Sequence, residues 1–149
     1  MKRYRFFFLL LLFYSCNSKD TKTTAKSEND IDAAREFIRS ALDGKFEQAR
    51  TYLLRDSSNM QYLDVAERSY EKIDPDTKNG YRSSSINIHN VSPVNDSTTI
   101  VIFSNSFKND KDTLRVVKAN GQWLVDLKYL YQHDEDTLLA PKPLKDSTR

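Results

Sequence analysis

Val116-Val117-Lys118-Ala119-Asn120-Gly121-Gln122-Trp123-Leu124-Val125-Asp126 is the stretch that decides the fold of this chain. Asn120-Gly121 is a two-residue hairpin signal, because both residues tolerate the positive φ of a type I′ turn. On its N-terminal side, Thr113 to Lys118 reads as a strand. On its C-terminal side, Gln122 to Leu130 reads as the last strand, with Trp123, Val125, Leu127 and Tyr129 alternating onto one face. Working back, Asn109-Asp110-Lys111-Asp112 is a turn. Thr98 to Phe107 holds Ile100-Val101-Ile102-Phe103, a run long enough for a strand buried on both faces. From Ser83 the apolar residues Ile86 and Ile88 share one phase, which begins the first of four antiparallel strands.

Further upstream the period changes to that of helices. Ile31, Ala34, Phe37, Ile38, Ala41 and Leu42 recur at spacings of three and four. Asn29 or Asp30 suits the N-cap, the early acids suit the helix dipole, and Gly44 suits the C-terminal stop. Phe46, Ala49, Tyr52 and Leu53 mark a second, short helix. Ser58 and Gln61 form a capping-box pattern for a third, whose buried face is Leu63, Ala66, Tyr70 and Ile73. Asp74-Pro75 then ends it, because proline disfavours helix in the preceding residue. The expectation is an α+β domain spanning 30–132, three N-terminal helices laid on a curved four-stranded antiparallel sheet. About 100 residues suffice for one core and not for two.

The flanks carry a different message. Lys2, Arg3 and Arg5 precede an unbroken apolar run from Phe6 to Tyr14, followed by Ser15 and Cys16, the only cysteine. Nine apolar residues fall short of the roughly 20 that span a bilayer, so residues 1–15 read as a signal peptide. Leu12-Phe13-Tyr14-Ser15-Cys16 resembles a bacterial lipobox, with Phe13 and Tyr14 standing where aliphatic and small residues are usual. That resemblance implies a lipidated Cys16 and a mature chain that begins there. The other readings are an ordinary cleaved signal or an uncleaved anchor. Asn17, rather than Asp, after the cysteine implies release to the outer membrane by resemblance to Gram-negative sorting rules. Residues 17–29 are polar apart from Ala25 and read as a tether. Residues 133–149, with Pro141, Pro143 and many charges, read as a polar tail. Removing the leader takes three of the 23 basic residues and leaves 20 against 21 acidic ones. The apparent basicity therefore belongs to the leader, and no nucleic-acid face is implied.

Two segments resemble the nuclear transport factor 2-like superfamily, and within it the small Gram-negative lipoprotein domains near its lumazine-binding-like branch. One is Ala41-Leu42-Asp43-Gly44-Lys45-Phe46-Glu47-Gln48-Ala49. The other is the hairpin quoted first, whose returning strand opens with tryptophan. The resemblance covers about 30–130. It implies a cone-like roll of curved sheet closed by helices, often around a pocket. It also implies a range of uses, from isomerase- and dehydratase-type enzymes to ligand carriers, protein-interaction modules and subunits that dimerise through the exposed sheet face. Fold membership does not choose among these.

The candidate pocket residues are Tyr52, Tyr70, His89, Phe103, Trp123 and Asp126. An enzyme on this scaffold needs His89 or Asp126 as a base beside a tyrosine such as Tyr52, Tyr62 or Tyr70 that donates to a developing oxyanion. His89 is out of phase with Ile86 and Ile88, and Asp126 with Trp123 and Val125. Both acid–base candidates should therefore face solvent together, or enter the pocket together if the faces are exchanged. Trp123 could stack a planar ligand or serve as a core anchor. His133-Asp134-Glu135-Asp136 is a consecutive charge run rather than a metal set. No phosphate-cradling glycine loop, no nucleophile elbow and no zincin motif is present, so no cofactor is called for. The expectation is a lipid-anchored envelope domain, a non-enzymatic module for a small hydrophobic ligand or a protein, with a small pocket enzyme or an assembly subunit as alternatives.

Overall fold

A computed structural model describes residue 27 and residues 29–132. Cys16, the leader and the polar tail lie outside the described residues. The elements in order are α1 (Asp30–Leu42), α2 (Phe46–Thr51), α3 (Ser57–Glu71), α4 (Pro75–Ser83), β1 (Ile86–Asn95), β2 (Thr98–Asn105), β3 (Asp112–Ala119), β4 (Gln122–Asp126) and α5 (Lys128–Gln132). The four strands form one antiparallel sheet in the order β1-β2-β3-β4. This is an α+β fold with helices packed against an open sheet.

Local chemistry accounts for most boundaries. Asn29 caps α1, its Oδ1 accepting from the Asp32 N–H at 2.8 Å. Gly44 takes φ +75° beyond the end of α1, and a Cβ there would lie 2.6 Å from the Tyr70 ring. Asn120 and Gly121 adopt φ of 51° and 75°, the pair of positive values a type I′ hairpin requires.

α2 ends at Thr51 with Tyr52 as its C-cap, short of the expected Leu53, and β2 ends at Asn105 rather than Phe107. Three further boundaries differ from the sequence expectation. The cap of α3 is Asp56, whose Oδ1 accepts from the Asn59 N–H at 2.9 Å, and not the Ser58–Gln61 pair. Asp74-Pro75 both ends the α3 region and opens another helix. Asp74 accepts from the Thr77 N–H at 2.9 Å and Pro75 stands at the first turn of α4, so among the described residues four helices rather than three precede the sheet. Ile73 accordingly lies past the α3 C-cap, Lys72. Finally, β4 stops at Asp126 rather than Leu130. The Asp126 carboxylate turns back to accept from the Lys128 N–H at 3.1 Å, and the chain continues as α5.

α1 crosses the sheet and touches all four strands. Its buried Ala33, Ala34, Phe37 and Ile38 meet Val101, Phe103, Leu114, Val116 and Val125 in a single core completed by Phe46, Tyr52, Leu53, Leu63, Leu127 and Leu130. The free side of β4 is covered by residues 52–54. The Val125 N–H donates to the Tyr52 carbonyl and the Leu54 N–H to the Val125 carbonyl, each at 2.8 Å. β1 forms the other edge. It carries irregularities at His89 and Val94 and a proline at 93, devices that discourage further strand pairing. Ser27, which composition places in the tether, is buried.

Candidate functional site

The sequence-selected side chains do not converge. Tyr52 and Phe103 are buried members of the core. Burial raises the Tyr52 phenol above its ordinary pKa, and the Glu36 charge adds to that. Tyr70 is half-buried, edge-on to Phe46 with ring centroids 5.6 Å apart, and its hydroxyl donates to the Leu42 carbonyl at 3.2 Å. Lys78 lies 5.6 Å from its ring centroid on another side. This tyrosine joins α3 to the end of α1; its hydroxyl is committed to backbone. Trp123 is half-buried against the core, with the Lys118 ammonium 5.7 Å from its ring centroid.

His89 and Asp126 are separated. The registers put Thr99, Val101, Phe103, Leu114, Val116 and Val125 on the face that meets α1. They put Ile100, Ile102, Ser104, Arg115, Val117, Leu124 and Asp126 on the other. His89 is the extra residue where β1 slips register between Ile88 and Asn90. It is exposed, and its Nε2 meets the buried Ser104 Oγ at 2.8 Å. Ile86 and Ile88 pack against the core, so His89 faces solvent as its phase predicted.

Asp126 departs from the solvent-facing expectation. It is 4% exposed. The alternation assigned its face correctly, but α5 folds back over that end of the sheet. Asp126 Oδ2 accepts from Arg115 Nη2 at 2.6 Å, and the Tyr129 ring stacks 5.4 Å from the Arg115 guanidinium. The expected joint behaviour of His89 and Asp126 therefore fails. They stand on opposite edge strands, three strand spacings apart laterally and four residues apart along β2, a separation on the order of 20 Å. No common substrate atom lies within hydrogen-bonding reach of both.

What the sequence did not reveal is a polar junction that locks α3, β4 and α5 together. Asn59 is fully buried. Its Oδ1 accepts from the Leu127 N–H at 2.7 Å and its Nδ2 donates to Asp56 Oδ2 at 2.9 Å. Lys128 Nζ also donates to Asp56 Oδ2, at 2.6 Å. That hydrogen bond, with the Asn59 N–H, holds the Asp56 carboxyl below the usual carboxylate range, and the same contact raises the Lys128 ammonium above its ordinary value. Each charge here has an opposite partner, so the junction is electrostatically closed and structural. A second paired cluster lies nearby, where Arg50 Nη2 donates to Asp64 and Glu67, each at 2.6 Å. Asp56 and Asn59 lie far from residues 126–128 in sequence, and the capping pattern read for this helix, Ser58–Gln61, did not include them.

The outer face of the sheet is the more suggestive feature. Its central rows read Asn90–Ile102–Thr113, Ser92–Ile100–Arg115–Asp126 and Asn95–Thr98–Val117–Leu124 across the strands. Ile100, Ile102, Val117 and Leu124 are all only half-buried there. Composition had assigned Ile100 to Phe103 to a strand covered on both sides; one side is covered by α1, and the other presents aliphatic side chains bordered by Asn90, Ser92 and Thr113.

No protein family, curated protein or solved structure matches this chain. Among the described residues no helix is long and apolar enough to cross a membrane. Nor is any group of three His, Cys, Asp or Glu side chains placed to hold a metal ion. The 133–136 charge run lies outside the described residues.

Proposed function

We propose that this protein is a lipid-anchored cell-envelope domain that binds a protein partner, without catalysis, through the outer face of its sheet. The observation that carries this reading is the half-buried set of Ile100, Ile102, Val117 and Leu124 on the face turned away from α1. Isolated exposed apolar residues are ordinary; a contiguous set on one sheet face suits a docking surface. The nuclear transport factor 2-like roll remains the architecture to which the hairpin and the helix–glycine–helix segment point, and α1 lying across all four strands supports it. Anchoring through Cys16 rests on the leader sequence, with the outer membrane as the destination that Asn17 suggests.

The enzyme alternative loses its support in the geometry. Its two acid–base candidates stand about 20 Å apart by strand spacing, Asp126 is bound in an ion pair, and the Tyr70 hydroxyl is engaged by backbone. The small-ligand alternative would draw on Tyr52, Phe103 and Trp123, which instead pack in or against the core.

The test is photo-crosslinking in cells from position 102 on the outer face and from position 36 on the exposed side of α1. A discrete protein adduct from position 102, absent from position 36, is expected, and it should disappear when Ile100→Asp is combined with the probe. Adducts of equal strength from both positions, or none from position 102, would contradict the assignment.

A further inference from the structure

We propose that the end of the sheet bearing the β1–β2 and β3–β4 turns is the side this domain turns toward a zwitterionic phospholipid surface. The proposal rests on the reading of Cys16 as the lipid-bearing residue. Antiparallel order places the turn between Asn95 and Thr98 beside the Asn120-Gly121 turn, and the Lys118 N–H joins them by donating to the Ser97 carbonyl at 2.8 Å. The start of α1 is fixed to this same end, where Thr99 Oγ1 donates to Asp30 Oδ2 at 2.6 Å. Ser27, two residues before Asn29, is 8% exposed, so the chain is already held against the domain at that point. The polypeptide therefore joins the fold beside the two turns.

Chain length turns that placement into an orientation. Residues 17–26 link Cys16 to Ser27. Eleven virtual bonds reach at most about 40 Å. A domain of about 100 residues has a radius of gyration of about 13 Å and is therefore about 34 Å across. Bringing the opposite end, the 106–111 loop, to the lipid surface would stretch the link almost fully along the domain. The turn end meets the surface without any stretching.

The side chains at this end fit the assignment. Val94, the extra residue at the second β1 irregularity, is 63% exposed, the most exposed large apolar side chain among the described residues. Trp123 stands half-buried at the second residue of β4 with the Lys118 ammonium over its ring. An indole with an amphipathic edge and a long ammonium stem are the two groups best suited to a headgroup layer. Asp30, Asp32 and Asp96 occupy the same end, which disfavours a strongly anionic surface and selects a zwitterionic one.

Trp123 is the only tryptophan in the chain, so its emission reports on this end alone. The full lipidated chain is placed in phosphatidylcholine vesicles with and without headgroup-nitroxide lipid, after mass spectrometry of the N-terminal peptide. The comparison is a Lys111→Trp, Trp123→Phe double variant, which moves the reporter to the exposed opposite loop; retained far-UV circular dichroism verifies its fold. Quenching of Trp123 should exceed quenching of the reporter at position 111 several-fold. Equal quenching in an acylated, vesicle-bound protein, or stronger quenching at position 111, overturns the orientation alone. An unacylated Cys16 overturns the anchor and this proposal with it. If the double variant does not fold, quenching of native Trp123 no greater than in protein simply mixed with vesicles after acyl removal gives the same refutation.

Discussion

Replacing Asn59 by alanine should unlatch the β4–α5 end of the domain. Asn59 is fully buried and reaches 68 residues along the chain to accept from the Leu127 N–H at 2.7 Å. Without it, that buried N–H loses its acceptor, which costs about 1–3 kcal/mol. The hydrogen bond to Asp56 also goes. Asp56 is a third exposed, so water replaces part of that contact and the added loss is about 1 kcal/mol. The total is about 2–4 kcal/mol, a sizeable part of a small domain's stability. For this size it corresponds to a fall in Tm of roughly 10–30 °C. Urea or thermal unfolding measures the loss, and amide exchange at Leu127 locates it. Asp56→Ala is the comparison. It removes an N-cap, worth about 1 kcal/mol, a partly exposed ion pair, worth about 0.2–1 kcal/mol, and the same hydrogen bond from Asn59 Nδ2, about 1 kcal/mol. Its total is similar, about 2–3 kcal/mol, but it leaves the Leu127 N–H paired with Asn59, so amide exchange at Leu127 separates the two variants. A loss below about 1 kcal/mol for Asn59→Ala, with Leu127 still protected, would refute the assignment of this asparagine as the latch.

The pH dependence of the same junction follows from its two shifted groups. The depressed Asp56 pKa stabilises the fold above the unfolded carboxylate value of about 4 and is lost as pH falls through the folded value. The raised Lys128 pKa stabilises the fold below the unfolded lysine value of about 10.4 and is lost as pH rises beyond it. Wild type should thus be most stable between these limits, and Lys128→Met should flatten both slopes in unfolding curves taken across pH. Gly44→Ala and Gly121→Ala separate backbone strain from steric clash. Both positions have φ +75°, which costs a non-glycine residue about 1–2 kcal/mol, but only at Gly44 must the Tyr70 ring also move. Gly44→Ala should lower the urea midpoint more; an equal effect would mean that Tyr70 yields freely. Phe37→Ala, at the centre of the α1–sheet contact, should cost about 3–5 kcal/mol. His89→Gln and Asp126→Asn should leave partner binding intact in crosslinking from position 102, and loss of binding with the fold retained would return these residues to candidacy.

Sequence and structure agree where a residue type has one physical solution. Asn120-Gly121 can make a I′ turn and little else, and Asn29 before an apolar stripe caps a helix. They part where one signal has two meanings. Asp74-Pro75 is a stop for the preceding helix and equally an N-cap with proline at the first position of the next. α4 buries none of its residues, so no apolar period announced it. At Asp126 the two-residue alternation identified the face but held no information on what folds over it. The slip at His89 shows the same limit, since one extra residue ends the phase relation on which a longer pattern would rely. Ile100 to Phe103 was legible as strand, whereas its open side became visible only once α1 was seen to cover the other. The polar junction was the least legible feature, because its members belong to segments about 70 residues apart.

Native mass spectrometry of the full protein extracted from its own membranes, beside an Ile102→Asp variant, tests anchoring and docking together. The expected species is a chain that begins at Cys16 with acyl groups attached, retains a protein partner and carries no small-molecule adduct, with the partner lost from the variant. An unacylated chain, or one that carries a small ligand and no protein, would contradict the proposed function.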